Sequence, residues 1–419
     1  MKEKSSGNKL TKAEKSWILY DVANSAFIMI VTATIPIYFR SLTENAGMAA
    51  STSTSVWGSA TSISILILAV LSPILGAIAD YENMKKRIFT IFFALAILGG
   101  VLFTFAPNWI SFLVFFILSR IGYAACNIFY DAMLIDVTTD ERMDRVSTYG
   151  YAFGYIGSCI PFVTGLLLIL NCEALGLPMV TATRISFLIT MVWWTVMTIP
   201  LYKNVHQTYS LPRQEHVISH TFSRLGATFR KLSKDKSLLY FIIGYFCYID
   251  GVYTIISMST TYGAEVGIDS NAMVLALLLT QFVAFPCSIL SGVLAKKWGT
   301  MRLIKIFIFM YIGICVIGFG LDTELEFWIL ALCVGICQGG IQALSRSYFG
   351  KLIPKDESSE YFGFFDVFGK FADFFGPLII SACAFFLHES RYGVLSLIFL
   401  FVIGFILITK SEKADMTKS

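Results

Sequence analysis

An all-α membrane protein of twelve spanning helices, set out as two six-helix halves, is the fold this sequence predicts, and three observations carry that expectation. Of 419 residues, 56% are apolar and only 14% charged, at a mean hydropathy of +0.71. That is too little charge to clothe a water-soluble surface. Twelve apolar segments stand out, at 17–40, 56–79, 88–106, 109–137, 148–170, 185–203, 238–261, 273–295, 303–321, 327–350, 361–387 and 394–410. Most reach or exceed the roughly 20 residues that a helix needs to cross a bilayer, and the longer ones imply tilt or extension beyond it. Lys and Arg concentrate in alternate loops, and one side carries only Arg40, Arg184 and Arg391 between spans. The positively charged side is the cytoplasmic one, so both termini are expected inside the cell.

Residues 1–16 form a polar, lysine-rich cytoplasmic tail. The first apolar run lacks a small-residue cleavage site, so it reads as a retained helix and not as a signal peptide. Residues 17–203 make the first six-helix bundle, 204–237 a cytoplasmic linker, 238–410 the second bundle and 411–419 a second cytoplasmic tail. Within the linker, Phe222, Leu225, Phe229 and Leu232 recur at helical spacing beside Arg224, Arg230 and Lys231. This pattern suits an amphipathic helix on the inner leaflet, or a solvated linker helix. His216 and His220 stand four apart there, but without a third ligand nearby they predict no metal site.

Nine cysteines fall almost entirely inside apolar segments, with only Cys172 in a loop. A disulfide framework is therefore not expected, and Cys333 and Cys337 have helix spacing, not that of a metal knuckle. The chain has no phosphate loop, no His-Glu-x-x-His and no Gly-x-Ser-x-Gly elbow, and it has no soluble segment long enough for an ATPase. No enzyme, cofactor or metal is expected, and no basic stripe with interleaved aromatics points to nucleic acid.

Ionisable side chains inside spans each cost roughly 2.5–3.5 kcal/mol at a helix centre, so each needs a reason. Spans 3, 6, 9 and 12 carry none in their interiors except Lys305 at one end; spans 1, 4, 7, 10 and 11 carry nearly all the rest. Span 4 sets Arg120, Asn127 and Asp131 within about 40° on its wheel. Arg120 has the two-pronged geometry to dock a substrate carboxylate, or it pairs with Asp250 or Asp373. Span 7 aligns Asp250, Thr254, Ser257 and Thr261; Asp250 can carry a proton, bind an ammonium or stay paired with Arg120. Span 10 aligns Gln338, Gln342 and Ser345, which suit a neutral or zwitterionic ligand, with Arg346 at its cytoplasmic end as a gate. Span 1 offers Asp21 and Asn24 near the inner gate. In span 11, Asp366, Lys370 and Asp373 share an arc of roughly 60°, as a titrating group or as a structural brace.

The two halves resemble each other. Span 2 ends GAIADYENMKKR (76–87) and span 8 ends GVLAKKWGTMR (292–302), each a Gly followed by a short basic loop. A six-plus-six repeat around a central cytoplasmic loop is the layout of the major facilitator transporters. WILYDVANSAFIMIVTATIPIYF (17–39), YFCYIDGVYTI (245–255) and above all QGGIQALSRSYFGKLIPKDESSEYFGFFDVFGK (338–370) resemble the vacuole effluxer-like branch of that superfamily. The loop after span 2 is similar to the superfamily's gating motif at Gly76, Asp80, Lys85, Lys86 and Arg87. It departs with Asn83 where a Gly is usual, and the second copy has Lys296 where the Asp would fall.

The resemblance implies the major facilitator fold, in which spans 3, 6, 9 and 12 face lipid and the charge-bearing spans line a central cavity. For the fungal branch it implies efflux of neutral amino acids from the vacuole. The expected function is secondary transport that exports a small zwitterionic metabolite such as a neutral amino acid by alternating access, with proton coupling. Arg120, Asn127, Asp250, Thr254, Gln338 and Gln342 would bind substrate. Asp250, Asp366, Lys370 and Asp373 would form the proton-coupling or charge network, and Asp21, Asn24, Asp80, Lys86, Arg87, Asp131 and Arg346 would gate. The protein is expected to act as a monomer in a bacterial cytoplasmic membrane, with the lipid bilayer and a small molecule as its partners. Rival readings are an exporter of hydrophobic cations or drugs, and a transport-dead membrane receptor or lipid-handling protein.

Overall fold

The computed structural model describes residues 9–212, 217–387 and 389–417, leaving undescribed the side chains at 50, 51, 217–223, 270, 271, 373, 374 and 384. Among the described residues the chain runs through fourteen helices. They are α1 (Lys12–Ala33), α2 (Ile35–Asn45), α3 (Ala50–Ala79), α4 (Met84–Thr104), α5 (Trp109–Val137), α6 (Asp140–Leu170), α7 (Met179–Asn204), α8 (Val217–Lys234), α9 (Lys236–Val266), α10 (Ser270–Trp298), α11 (Thr300–Phe319), α12 (Glu324–Leu352), α13 (Ser358–Leu387) and α14 (Arg391–Met416). All but α2 and α8 are long and apolar enough to cross a membrane, which gives the twelve spans the sequence predicts. The helices carry large exposed apolar side chains such as Val70, Phe309, Phe385 and Phe399, the kind of surface that suits lipid.

Local chemistry fixes where the helices begin. Thr11 and Glu14 form a capping box at α1, and Thr323 and Glu326 do the same at α12. Asn108 accepts from the Ser111 N–H at α5, and Asp235 from the Leu238 N–H at α9. Each cap supplies an acceptor to first-turn donors that a helix leaves unsatisfied.

The first apolar run is not the single segment 17–40 expected from hydropathy. It breaks at Thr34, whose N–H still bonds the Ile30 carbonyl, before α2 restarts with Pro36 in its first turn. Proline lacks the N–H that a continuous helix requires and is tolerated at a new helix start. In the linker, α8 forms over most of the predicted stretch, but its apolar stripe is split. Leu232 is buried, while Phe229 is 63% exposed beside exposed Arg230 and Lys231. The Phe222 and His220 side chains, and all of His216, lie outside the described residues.

The helices gather into two compact units. One holds Met1–Thr138, Phe153–Val217 and Asp356–Gly363; the other holds Thr139–Ala152, Ile218–Lys355 and Phe364–Ser419. The first turns of α6 and α13 thus belong to a different unit from the remainder of each helix. Within the first unit α4 and α5 approach closely, because Gly99 and Gly122 leave their backbones bare. A Cβ at Gly122 would lie 2.6 Å from the Ala96 nitrogen, well inside van der Waals contact.

Candidate functional site

In the first unit, the polar residues of α1 meet those of α5. The Asn24 amide donates to the Asn127 side-chain oxygen at 2.8 Å, and the Tyr130 hydroxyl donates to Asp21 at 2.9 Å. Trp17 stacks on Tyr130 and donates from its indole N–H to the Tyr130 carbonyl, which locks the hydroxyl's aim. Asp21 and Asn24 are buried, and Arg120 and Asp131 are half-buried on α5. Asn127, expected as a substrate contact, and Asn24, expected at the gate, therefore form one hydrogen-bonded pair.

A second cluster sits where α3 ends. Asp80 is fully buried, and its two carboxylate oxygens accept from the backbone N–H groups of Ser359 at 2.7 Å and Glu360 at 3.0 Å. An anion at the first turn of α13 meets both orphan donors and the positive end of the helix dipole. Gly76 makes that approach geometrically possible, since any Cβ there would collide with the Ser359 carbonyl. Asn83, the departure from the expected motif, adopts φ 62°. That left-handed conformation is most easily met by Gly, and Asn is among the side chains that tolerate it.

The motif's buried cation is Lys85. Its ammonium donates to Asp136 at 2.7 Å and to the Ser358 hydroxyl at 3.1 Å. Asp136 also accepts from the backbone N–H groups of Thr208 and Tyr209, so the carboxylate is well satisfied despite its burial. Lys86 donates instead to the Tyr202 and Val205 carbonyls, and Arg87 is exposed. Sequence reasoning named Lys86 and Arg87 as gating residues and passed over Asp136. The missed signal was a second carboxylate at the very end of span 4, five residues after Asp131.

The second unit builds a comparable cluster with the charges redistributed. Lys296 is exposed, and the acid comes from the second turn of α6. Asp144 accepts from the Thr300 and Ser347 hydroxyls, each at 2.6 Å, and pairs with Lys351 at 2.6 Å. Arg346 is buried. It donates to the Ser147 hydroxyl and carbonyl at 3.0 and 3.1 Å, and its guanidinium lies over the Tyr151 ring. A Cβ at Gly292 would meet the Thr148 hydroxyl, whereas one at Gly76 would meet the Ser359 backbone.

Midway along α9, Asp250 is 1% exposed and accepts from the Gly376 N–H at 3.0 Å. Gly376 precedes Pro377, and a side chain there would overlap Thr254. Thr254 lies one turn beyond Asp250. With Gln338 of α12 it lines an apolar cavity of about 110 Å³ inside the second unit. Gln342 is half-buried. Asp366 and Lys370 pair along α13 as their spacing predicts; the Asp373 side chain lies outside the described residues. Among the described residues, no group of three His, Cys, Asp or Glu is placed to hold a metal.

A family profile described as "Vacuole effluxer Atg22 like" matches residues 11–136 and 135–416. The chain belongs to the Atg22-like vacuole effluxer family. It is 44% identical over 405 residues to the uncharacterized MFS-type transporter YxiO of Bacillus subtilis, covering 96% of this chain and 95% of that protein. Autophagy-related protein 22-1 of Penicillium rubens is 23% identical over 283 residues, which is 62% of this chain and 46% of the fungal protein. The fold also matches the solved major facilitator transporter FucP in its outward conformation, with a TM-score of 0.73 at 14% identity over 96% of this chain and 97% of that one. This Atg22-like chain is thus a multi-pass major facilitator transporter, not an enzyme. Its setting is the lipid bilayer, and it acts on a small molecule by secondary transport.

Proposed function

We propose that the protein exports a small zwitterionic metabolite, most simply a neutral amino acid, by alternating access coupled to protons. The observation that carries this reading is Asp250, a carboxylate buried midway along a spanning helix that accepts from the Gly376 N–H beside Pro377 within α13. An intramembrane carboxylate of that kind is costly and suits an ammonium ligand, a proton or both in turn. Thr254, one turn along α9, and Gln338, which lines the same cavity as Thr254, offer neutral hydrogen-bonding. Arg120 and Asn127 are assigned to substrate contact on sequence grounds, and Asp366, Lys370 and Asp373 to the charge network.

In this reading residues 17–203 and 238–410 are the two six-helix bundles, and both termini face the cytoplasm of a bacterial cell. The Asp80, Lys85–Asp136, Asp144 and Arg346 clusters then lie at the cytoplasmic end and act as the inner gate, with the protein working as a monomer. Proteoliposomes loaded with a labelled neutral amino acid provide the test. Arg120→Ala and Asp250→Asn are each expected to lose at least tenfold in initial rate; rates equal to wild type would sink the assignment. Transport insensitive to an imposed pH gradient would remove the proton coupling alone. The largely apolar cavity lined by Thr254, one turn along α9 from Asp250, favours a second reading, a lipophilic cation as substrate. Competition by such cations, with none by amino acids, would select it.

A further inference from the structure

The chain that leaves α7 is fastened to the turn between α3 and α4 before it enters the rest of the linker. The Leu211 N–H donates to the Asp80 carbonyl at 2.8 Å, and the Glu82 N–H donates to the Leu211 carbonyl at 3.1 Å, so Tyr81 and Leu211 make a parallel bridge. The Val205 carbonyl accepts from the Lys86 ammonium at 2.9 Å, and the Thr208 and Tyr209 N–H groups donate to Asp136.

Midway along this strap, the half-buried Gln207 turns its side chain into the α3–α4 turn. Its Nε2 donates to a ring of carbonyls, at 3.2 Å to Ala79 and Tyr81 and at 3.4 Å to Asp80 and Tyr209. Its Oε1 accepts from the Lys85 N–H at 3.3 Å. Carbonyls only accept and a backbone N–H only donates, so these neighbours fix which end of the amide faces which. The contacts meet a need of the chain. Helix α3 ends at Ala79 and α4 starts at Met84, so the turn gathers carbonyls that one helix leaves unbonded and an N–H that the next leaves unbonded. A carboxylate cannot donate to the first set, and an ammonium cannot accept from the second. An uncharged amide does both.

Asp80 and Lys85 are the residues of this turn whose side chains reach the first turn of α13. Asp80 accepts from Ser359 and Glu360, and Lys85 donates to Ser358. Gln207 bonds the backbone of both. We propose that Gln207 is a positioning residue for the inner gate, through which the central linker holds Asp80 and Lys85 against α13. The proposal rests on the reading of that cluster as the gate, and it makes the linker a working part of the gate instead of a tether between two halves.

The test is amide-resolved hydrogen exchange on the purified full-length protein in detergent micelles. Gln207→Met keeps the length of the side chain and loses both its donor and its acceptor. It should speed exchange about five- to tenfold at Lys85, Ser359 and Glu360, the effect of about one net hydrogen bond. Gln207→Glu keeps the acceptor, so it should speed Ser359 and Glu360 while Lys85 stays protected. His206→Ala, at an exposed neighbour on the strap, should change none of the three. Unaltered exchange at Ser359 and Glu360 in Gln207→Met would overturn the proposal. Equal acceleration along α5 would overturn it too, because Gln207 would then serve only general stability. The gate reading is decided separately, by release of labelled leucine from proteoliposomes. Its initial rate should fall about threefold or more in Gln207→Met, since a gate held loosely slows the conformational step. A wild-type rate together with the faster exchange would overturn the gate role and leave the linker's hold on Asp80 standing.

Discussion

At the scale of single residues, the most exacting arrangement is Lys85 with Asp136. Both side chains are almost wholly buried, so removing one charge strands the other where water cannot reach it. Lys85→Met is expected to lower stability by about 3–5 kcal/mol, read as the loss of thermal or denaturant resistance in micelles. Adding Asp136→Asn should restore a large part of that loss, since the amide oxygen still accepts from Thr208 and Tyr209 and no unpaired charge remains. A double variant no more stable than Lys85→Met would refute this account. Asp80 offers a gentler contrast. Asp80→Asn keeps one acceptor for α13 but gives up the charge at its dipole, and it should cost about 1–2 kcal/mol by the same measurement.

At the scale of elements, closeness of approach decides which substitutions the helices tolerate. Two glycines on α3 make the case. A Cβ at Gly58 meets nothing within 4 Å, whereas one at Gly76 strikes the backbone of Ser359. Gly58→Ala should therefore stabilise the helix by about 0.5–1 kcal/mol. Gly76→Ala should destabilise the protein and weaken the Asp80 contact to α13. The opposite signs, read from paired melting curves, test the packing itself, because helix propensity alone predicts stabilisation in both. If both variants gained stability, the close crossing of α3 and α13 would be refuted.

At the scale of the whole molecule, the twelve spans were legible because hydropathy and helix length are properties of contiguous sequence. The caps at Thr11, Asn108, Asp235 and Thr323 are just as local. The break at Thr34 was hidden because Pro36 sits inside an unbroken apolar run, and hydropathy is blind to a missing N–H. The pairing of Lys85 with Asp136 joins residues 51 apart, and that of Lys351 with Asp144 joins residues 207 apart. Such partners depend on helix register and crossing, which composition does not encode, so Asp136 did not stand out. The resemblance brought out Asp80 because its motif is short and contiguous. The proposed orientation has its own check. Alkaline phosphatase fused after residue 173 should be active outside the cytoplasm, and a fusion after residue 419 should be inactive; the reverse would invert the topology. The capping of α13 by Asp80 carries one more consequence. Ser359, Glu360 and Asp80 are all fully buried, so any movement that parts them must hydrate two amide donors and a carboxylate together. Opening there is an uptake of water as much as a displacement of helices. Osmolytes excluded from the protein surface should accordingly hold that contact shut.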